Sequence, residues 1–264
     1  MKYKMVDPVI FCVGNFCVRW YSIAYIIGIV AGWYLIKYFN KKVNLFNPKE
    51  IEDSAFCYII LGCILGGRFG YVVFYNPDYY VRHFLDIFKI WQGGMSFHGG
   101  MLGIIFSVYL LTKKYKIDFL RFLDFVSLSA PIGLFFGRIA NFINQELYGR
   151  VTNSIFGVVF ENAGNLPRHP SQLYEAFFEG AVLFALLFYM AKYKNALNKK
   201  GFLTGFAVAF YGIVRFFIEF FREPDEQIGY ILKYFTMGQL LCVPMVIIGI
   251  FLLIKGEKLN FIDA

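Results

Sequence analysis

The chain lacks most of the local motifs that mark soluble enzymes. It contains no Walker-type loop, no His-Glu-x-x-His run and no Gly-x-Ser-x-Gly elbow. Histidine is scarce: His83, His98 and His169 are the only three, and they form no compact metal-ligand cluster with Asp or Glu. No Cys-x-x-Cys pair occurs; the five cysteines are Cys12, Cys17, Cys57, Cys63 and Cys242. An odd count in a greasy chain fits small apolar packing groups better than a disulfide framework. Charge is also sparse, at 17% against about 25% in ordinary soluble domains. The first fifteen residues have no positive run joined to a cleavable apolar core, so the first apolar span is expected to direct insertion.

Apolar length is what the chain has in abundance. Hydrophobic residues make up 58%, with 33 Phe and 19 Tyr, and mean hydropathy is +0.55. Seven segments approach the roughly 20 residues needed to cross a hydrocarbon layer: about 18–37, 56–76, 95–112, 122–142, 172–191, 203–221 and 236–254. The third is interrupted by Gly93, Gly94, Gly99, Gly100 and Gly103, which points to close helix packing or to a broken helix at a site. The expected fold class is an all-α polytopic membrane protein with seven transmembrane helices, residues 1–264 forming one catalytic domain.

The net charge of +8 invites a nucleic-acid partner, but the basic residues form neither stripe nor tail. They sit in short clusters between apolar runs, the pattern of topology signals and of contacts to anionic lipid. One side receives Lys37, Lys41, Lys42, Lys49, Lys113, Lys114, Lys116, Arg121, Lys192, Lys194, Lys199, Lys200, Lys255 and Lys258. The other receives only Lys2, Lys4, Arg82, Lys89, Arg150, Arg168, Arg222 and Lys233. The richer side is cytoplasmic, which puts the N-terminus outside and the C-terminus in the cytoplasm.

Four arginines remain, Arg19, Arg68, Arg138 and Arg215, at the edge of or within spans. A charge at mid-membrane costs about 2.5–3.5 kcal/mol on the lenient scale, so each needs a reason. At about 1.5 Å per residue, Arg68 lies roughly 18 Å from the inner end of its span, with Arg215 at a similar height. Arg138, Asn141, Asn144 and Glu146 follow toward the outer end of the fourth span, and His98 lies about 6 Å below the outer edge of the third. Interfacial snorkelling accounts for Arg19 and stays open for Arg138, but Arg68 and Arg215 are too deep for it. A shared polar cavity open to the outer leaflet is expected, the cytoplasmic halves being apolar apart from Asp124 and Glu179.

Tyr211, Arg215 and Glu219 share one helical stripe, so Arg215 and Glu219 can pair, for function or merely to neutralise a buried charge. Arg68 and Tyr71 are three apart, and Arg138 shares a face with Asn141. With arginines outnumbering clearly placed acids, the cavity is expected to be net positive and suited to a phosphate gripped by guanidinium. His98 is the natural proton carrier, the alternative being a plain hydrogen-bond donor in its glycine-rich helix. His169-Pro170-Ser171-Gln172 also reads as a helix start, with Ser171 near the N-cap. The loop at about 144–171 is either a lid over the cavity or a connector.

These segments resemble the prolipoprotein diacylglyceryl transferase family. The resemblance rests on Arg19-Trp20-Tyr21, Gly67-Arg68-Phe69-Gly70-Tyr71 and His98-Gly99-Gly100, and above all on the run Gly137-Arg138-Ile139-Ala140-Asn141-Phe142-Ile143-Asn144-Gln145-Glu146-Leu147-Tyr148-Gly149-Arg150. His169 to Glu175, Arg215 to Glu219, Arg222-Glu223-Pro224-Asp225 and Gly238-Gln239 extend it. Two positions depart: Gln145 stands where the family more often has glycine, and Ser22 where glycine or alanine is usual. The resemblance implies a bacterial cytoplasmic-membrane enzyme, active toward the outer leaflet, with no metal or soluble cofactor. It implies transfer of the diacylglyceryl group of phosphatidylglycerol to the lipobox cysteine of a prolipoprotein, leaving a thioether and glycerol phosphate.

Carried over by position, Arg138 and Arg215 match the essential arginines, and His98, Asn141, Glu146, Gly149 and Tyr21 match other sensitive positions. Tyr211 and Glu219 flank Arg215 as in the family. The expected catalytic set is thus His98, Arg138, Arg215 and Tyr21. The expected substrate-binding set is Arg138, Asn141, Glu146, Gly149, Arg68, Tyr211 and Glu219. The competing class is a lipid or solute transporter with an outward-facing anion site, though alternating access would spread polar residues through both halves of the spans. A non-catalytic scaffold would not need a histidine and deep arginines at one depth.

Overall fold

The structure is a computed structural model that describes residues 2–3, 7–14, 16–44, 50–90, 93–223, 230–231 and 235–259. Lys4, Lys49 and Lys233 of the orientation count, and Pro224 and Asp225 of the family-like motif, lie outside the described residues. The long helices are α1 (Trp20–Val43), α2 (Glu50–Phe74), α4 (Phe97–Tyr115), α5 (Phe119–Ile143), α8 (Phe202–Ile218) and α9 (Met237–Leu259). A short α3 (Pro77–Arg82) follows α2. α6 (Ser171–Glu175) runs through a π-helical segment, Ala176–Val182, into α7 (Leu183–Tyr193). Each of the seven apolar segments falls on a helix. Five helices are long and apolar enough to cross a membrane, and Phe202–Ile218 is apolar but shorter. The protein is a mostly helical, multi-pass membrane protein.

The all-α expectation needs amending, since three two-stranded sheets occur among the described residues: Lys2–Tyr3 pairs in parallel with Val159–Phe160, Tyr230–Ile231 pairs antiparallel with Phe235–Thr236, and the longest precedes α1. Val9–Val13 and Phe16–Arg19 form an antiparallel hairpin directly before α1. Cys12 and Cys17 face each other across it and form a disulfide, so these two are not packing groups. Both precede the apolar span and escape the argument that covers in-membrane cysteines; Cys57, Cys63 and Cys242 are free thiols.

The chain divides into two compact units, Asn40–Leu123 and Met1–Phe39 with Asp124–Ala264. Within the first, α2 and α4 meet along a stripe of small residues four apart, Gly62, Gly66 and Gly70 against Gly99, Gly103 and Ser107. A methyl group on Gly66 would stand 2.7 Å from the Gly103 Cα, and one on Gly70 would stand 2.8 Å from the Gly99 Cα. The glycines of the third apolar segment therefore serve backbone contact, the small-residue packing that replaces the hydrophobic effect between helices in lipid. α4 is not broken. It starts where the Ser96 hydroxyl accepts the Gly99 N–H at 3.2 Å, while the Ser96 N–H donates to the Gly67 carbonyl at 2.8 Å.

In the second unit, the same device brings Gly28 of α1 to Gly133 of α5, and Gly249 of α9 to Ala209 of α8. Asp124, the outlying acid of an apolar half-span, is fully buried for a structural reason. Its carboxylate accepts the Gly201 N–H, the Thr204 N–H and the Thr204 hydroxyl, each at 2.8 Å, and so caps the first turn of α8 from another helix. The loop after α5 is folded on backbone bridges, Gly149 to Arg222 and Arg168 to both Val151 and Val158, with Phe160 fully buried beneath it.

Substituting Gly103→Ala should cost about 1–3 kcal/mol by overpacking the α2–α4 contact. The thermal unfolding midpoint of the detergent-solubilised protein reads this, with Gly137→Ala as a control because a methyl group there meets open space. An unchanged midpoint in the Gly103 variant would contradict the packing argument.

Candidate active site

In the unit built from α1 and residues 124–264, three helices bring charge to one buried point. Arg138 lies five residues before the end of α5, Arg215 three before the end of α8, and Glu175 at the junction of α6 with the π segment. Glu175 is fully buried and shared by both guanidiniums: Oε2 lies 3.0 Å from Arg138 Nε, and Oε1 is in close contact with Arg215 Nη1. Arg215 Nη2 pairs with Glu219 Oε2 at 3.0 Å, one turn further along α8. Glu219 Oε1 in turn accepts the Thr236 hydroxyl at 3.1 Å, and the Thr236 N–H donates to Gln239 Oε1 at 3.1 Å. Gly238 must be glycine-sized for this, since a methyl group there would stand 2.8 Å from the Glu219 carboxylate.

One turn after Glu175, Glu179 faces the same arginines, 3.8 Å from Arg138 Nη2 and 3.7 Å from Arg215 Nη1. The apolar run around it made Glu179 look like an exception in a cytoplasmic half-span. The expectation of a net positive cavity does not hold for this cluster, where two guanidiniums face three carboxylates. What the sequence reading missed is the pairing of the arginines with Glu175 and Glu179. The available signal was two acids at i and i+4 in an apolar run, which places both on one helical face. Tyr211, one turn before Arg215, lies within electrostatic reach of Arg138, Arg215, Glu175 and Glu179.

A second group of expected residues gathers where α5 ends. Asn141 is buried and donates to Glu146 Oε1 at 2.8 Å; Asn144 donates to the same oxygen at 3.3 Å. The Glu146 carbonyl accepts Gln172 Nε2 at 2.7 Å, and the Leu147 carbonyl accepts the Ser171 hydroxyl at 3.0 Å. Ser171 is the first residue of its helix, next to the N-cap Pro170 as expected, and its hydroxyl reaches back to the preceding loop. Gly149 is hemmed in by backbone, its missing Cβ 2.5 Å from the Phe221 carbonyl and 2.6 Å from the His169 carbonyl. Arg150 donates to the Arg222 carbonyl at 2.8 Å, tying the loop to the end of α8.

Gln145 accounts for its own departure from the family pattern. It has φ +54°, in the left-handed region where glycine is the usual residue. A side chain there costs on the order of 1 kcal/mol or more. Its buried Oε1 accepts the Asn162 N–H at 3.4 Å, a contact with the following loop that glycine could not make.

His169 in this loop is close to Tyr174, Nδ1 to hydroxyl 3.1 Å, and burial pushes its imidazole below the ordinary range. It is thus a neutral ring at neutral pH rather than a competing cation. Tyr21 opens α1 with its ring against Tyr25, centroids 5.1 Å apart, and Arg19 is exposed at the end of the hairpin.

His98 and Arg68 belong to the other unit. His98 is the second residue of α4 and is exposed. Arg68 is buried, and all its N–H directions are spent on backbone carbonyls. Nε donates to Ile87, Nη1 to Gly93 and Gly94, and Nη2 to Asp86 and Lys89, at 2.6–3.4 Å, with the Tyr80 ring 5.1 Å from the guanidinium carbon. This arginine folds the segment after α3 back onto α2, its five donors matched by five carbonyls.

Comparison with known proteins agrees over nearly the whole chain. Residues 8–255 match the family model described as prolipoprotein diacylglyceryl transferase. A phosphatidylglycerol–prolipoprotein diacylglyceryl transferase of Rickettsia canadensis is 51% identical over 253 residues, covering 94% of this chain and 96% of that protein. Those of Rickettsia felis and Rickettsia typhi are 51% and 50% identical, covering 97% and 95% of this chain and 99% and 96% of theirs.

Because Glu175 is shared between two buried guanidiniums, Glu175→Gln should lower stability by about 3–5 kcal/mol, the usual cost of leaving a buried charge without its partner. Chemical or thermal unfolding of the purified protein measures it. A variant as stable as wild type would mean that Glu175 is not the keystone of the cluster.

Proposed function

The chain belongs to the prolipoprotein diacylglyceryl transferase family, and we propose that Arg138 and Arg215 carry its reaction by gripping the phosphate of the lipid donor. The protein is a multi-pass enzyme of the bacterial cytoplasmic membrane. It transfers the diacylglyceryl group from phosphatidylglycerol to the lipobox cysteine of a prolipoprotein, forming a thioether and releasing glycerol 1-phosphate. In our reading seven helices cross the membrane, the N-terminus lies outside, and the site opens toward the outer leaflet. The basic-residue asymmetry of the connecting loops supports that orientation.

The observation that carries the site assignment is the convergence of Arg138 and Arg215, 77 positions apart in the chain, on one carboxylate at matching ends of their helices. Guanidiniums held in place by carboxylates are preorganised: they need no reorganisation when charge develops on a leaving phosphate. The two differ in access. The Arg138 side chain is 15% exposed and that of Arg215 9%, and Arg138 Nε is ion-paired with Glu175 without a formed hydrogen bond while Nη2 stands 3.8 Å from Glu179. Arg138 thus has donors to offer, and Arg215 is the more deeply anchored. In the reaction the cysteine sulfur attacks C3 of the glyceryl group, the C3–oxygen bond breaks, and the arginines hold the phosphate as it takes that electron pair.

Asn141 and Glu146 shape the end of α5 beside this point, and Gly149 lets the following loop close on His169 and Phe221. Tyr211 and Glu219 extend the Arg215 stripe, while Tyr21 keeps a role at the entry of α1. His98 is assigned the task of taking the thiol proton, a role open to an imidazole, which can accept or donate. A cysteine near pKa 8.5 needs only modest help to ionise.

Arg138→Ala and Arg215→Ala should each lower kcat/KM by about 10²–10³-fold, the usual loss when one preorganised donor is removed. The assay is transfer of labelled diacylglyceryl from phosphatidylglycerol to a lipobox peptide by purified protein. Near-wild-type turnover in Arg138→Ala would sink the phosphate-clamp assignment. His98→Ala should lose activity most steeply on the acid side, where the thiol depends on a base; full activity across pH removes His98 from that role.

A further inference from the structure

Glu179 is the member of the buried cluster without a settled partner. Glu175 and Glu219 each place an oxygen within 3.0 Å of a guanidinium nitrogen. Neither oxygen of Glu179 has a hydrogen-bond partner among the described residues, and the side chain is fully buried. Its two oxygens stand 3.7 and 3.8 Å from Arg215 and Arg138, the two guanidiniums assigned to the phosphate. A bare carboxylate so placed is unfavourable unless it carries a proton or meets a further donor. Direct contacts already set three carboxylates against two guanidiniums, one negative charge in excess.

The groups facing Glu179 come from several elements: Arg138 on α5, Glu175 on α6, Tyr211 and Arg215 on α8, Cys242 on α9, and Arg222 beyond the end of α8. The local backbone is also unusual. Glu179 lies in the π-helical segment Ala176–Val182, a form that occurs mostly as single wide turns and frequently at functional sites. Here it sits where the helix presents both Glu175 and Glu179 to the same two arginines.

Resting on the phosphate-clamp reading, we propose that Glu179 is the general acid of the transfer, handing its proton to the phosphate oxygen that leaves the diacylglyceryl carbon. The sulfur–carbon bond forms as the C3–oxygen bond breaks, and the electron pair of that bond passes to the phosphate oxygen, which takes the Glu179 proton. The thiol proton, given up at attack, restores the acid before the next turnover. Thiol plus phosphodiester monoanion thus yields thioether plus phosphate monoester monoanion, with no other co-reactant. The chemistry is matched: a phosphate monoester takes up its second proton at pKa near 6, within reach of a carboxylic acid. The proton also keeps a second negative charge from developing beside a cluster already rich in carboxylates.

The test compares two lipid donors on purified full-length protein, phosphatidylglycerol and a diacylglyceryl sulfate ester. Both carry one negative charge, but the sulfate leaves as a much weaker base. Glu179→Gln keeps the size and a donor group but has no proton to give. It should lower kcat on phosphatidylglycerol by about 10²-fold or more, the scale of acid catalysis, with KM within about 2-fold. On the sulfate ester its loss should be under about 10-fold. In the wild type, turnover of phosphatidylglycerol should fall at high pH while that of the sulfate ester does not. This second measurement stands even if the variant fails to accumulate. An equal loss on both donors, wild-type kcat in Glu179→Gln, or parallel pH profiles overturns the proposal. Loss of the clamp reading would show separately, as full turnover and unchanged KM for both donors in Arg138→Ala.

Discussion

The burial of one carboxylate between two guanidiniums constrains everything else at this site. Glu175 has no water to solvate it, and neither Arg138 nor Arg215 could lie so deep in an apolar span alone. Each charge is tolerable only because another helix delivers its partner, so α5, α6 and α8 must meet at matching heights. α9 is drawn into the arrangement through Thr236 just before it, whose hydroxyl donates to Glu219 and whose N–H donates to Gln239 in the first turn of α9. A substrate anion entering such a cluster meets donors whose orientation is already fixed, and the apolar remainder of the helices suits acyl chains.

The same sequence signal, an arginine inside an apolar span, has two structural fates here. Arg138 and Arg215 point at acids and keep donors for a ligand. Arg68 points at the backbone of the segment after α3 and saturates itself on five carbonyls. Carbonyl dipoles disperse the charge without any acid, so counting acids in the sequence could not have revealed the cage. The nature of the partner, not depth in the membrane, separates these arginines.

Much of the fold was legible because it depends on composition along one helix at a time. Apolar runs located the long helices, and the Tyr211–Arg215–Glu219 stripe gave the Arg215–Glu219 pair directly by i,i+4 spacing. What was not legible depends on pairing between helices. Nothing in local spacing says that Arg138 meets Glu175 rather than Glu146, or that the glycines at 99 and 103 face those at 62 and 66. The Cys12–Cys17 pair was hidden for a related reason: it belongs to a short hairpin outside the apolar pattern, where a composition argument about spans has no purchase. Gln145 shows the converse. Its departure from glycine was visible in the sequence, but the reason, a left-handed turn held by a side-chain bond to Asn162, is a matter of backbone geometry.

The charge excess of the cluster bears on how such a site can handle an anionic lipid at all. Three carboxylates beside two guanidiniums repel a phosphate unless one carboxyl is neutral or the arginines are shared. Sharing is possible because a guanidinium has five donors in a planar fork, and Arg138 faces two carboxyl groups and Arg215 three. A phosphate can take some of those edges while Glu175 keeps others. The acids then act as a template that sets the angle between the two arginines, and the lipid is recognised by what that template leaves open. An all-cationic pocket would bind phosphate more tightly in the ground state and release the phosphate monoester more slowly. A site that carries its own carboxylates forgoes some binding and gains turnover, which is the balance a transferase working on an abundant membrane lipid requires.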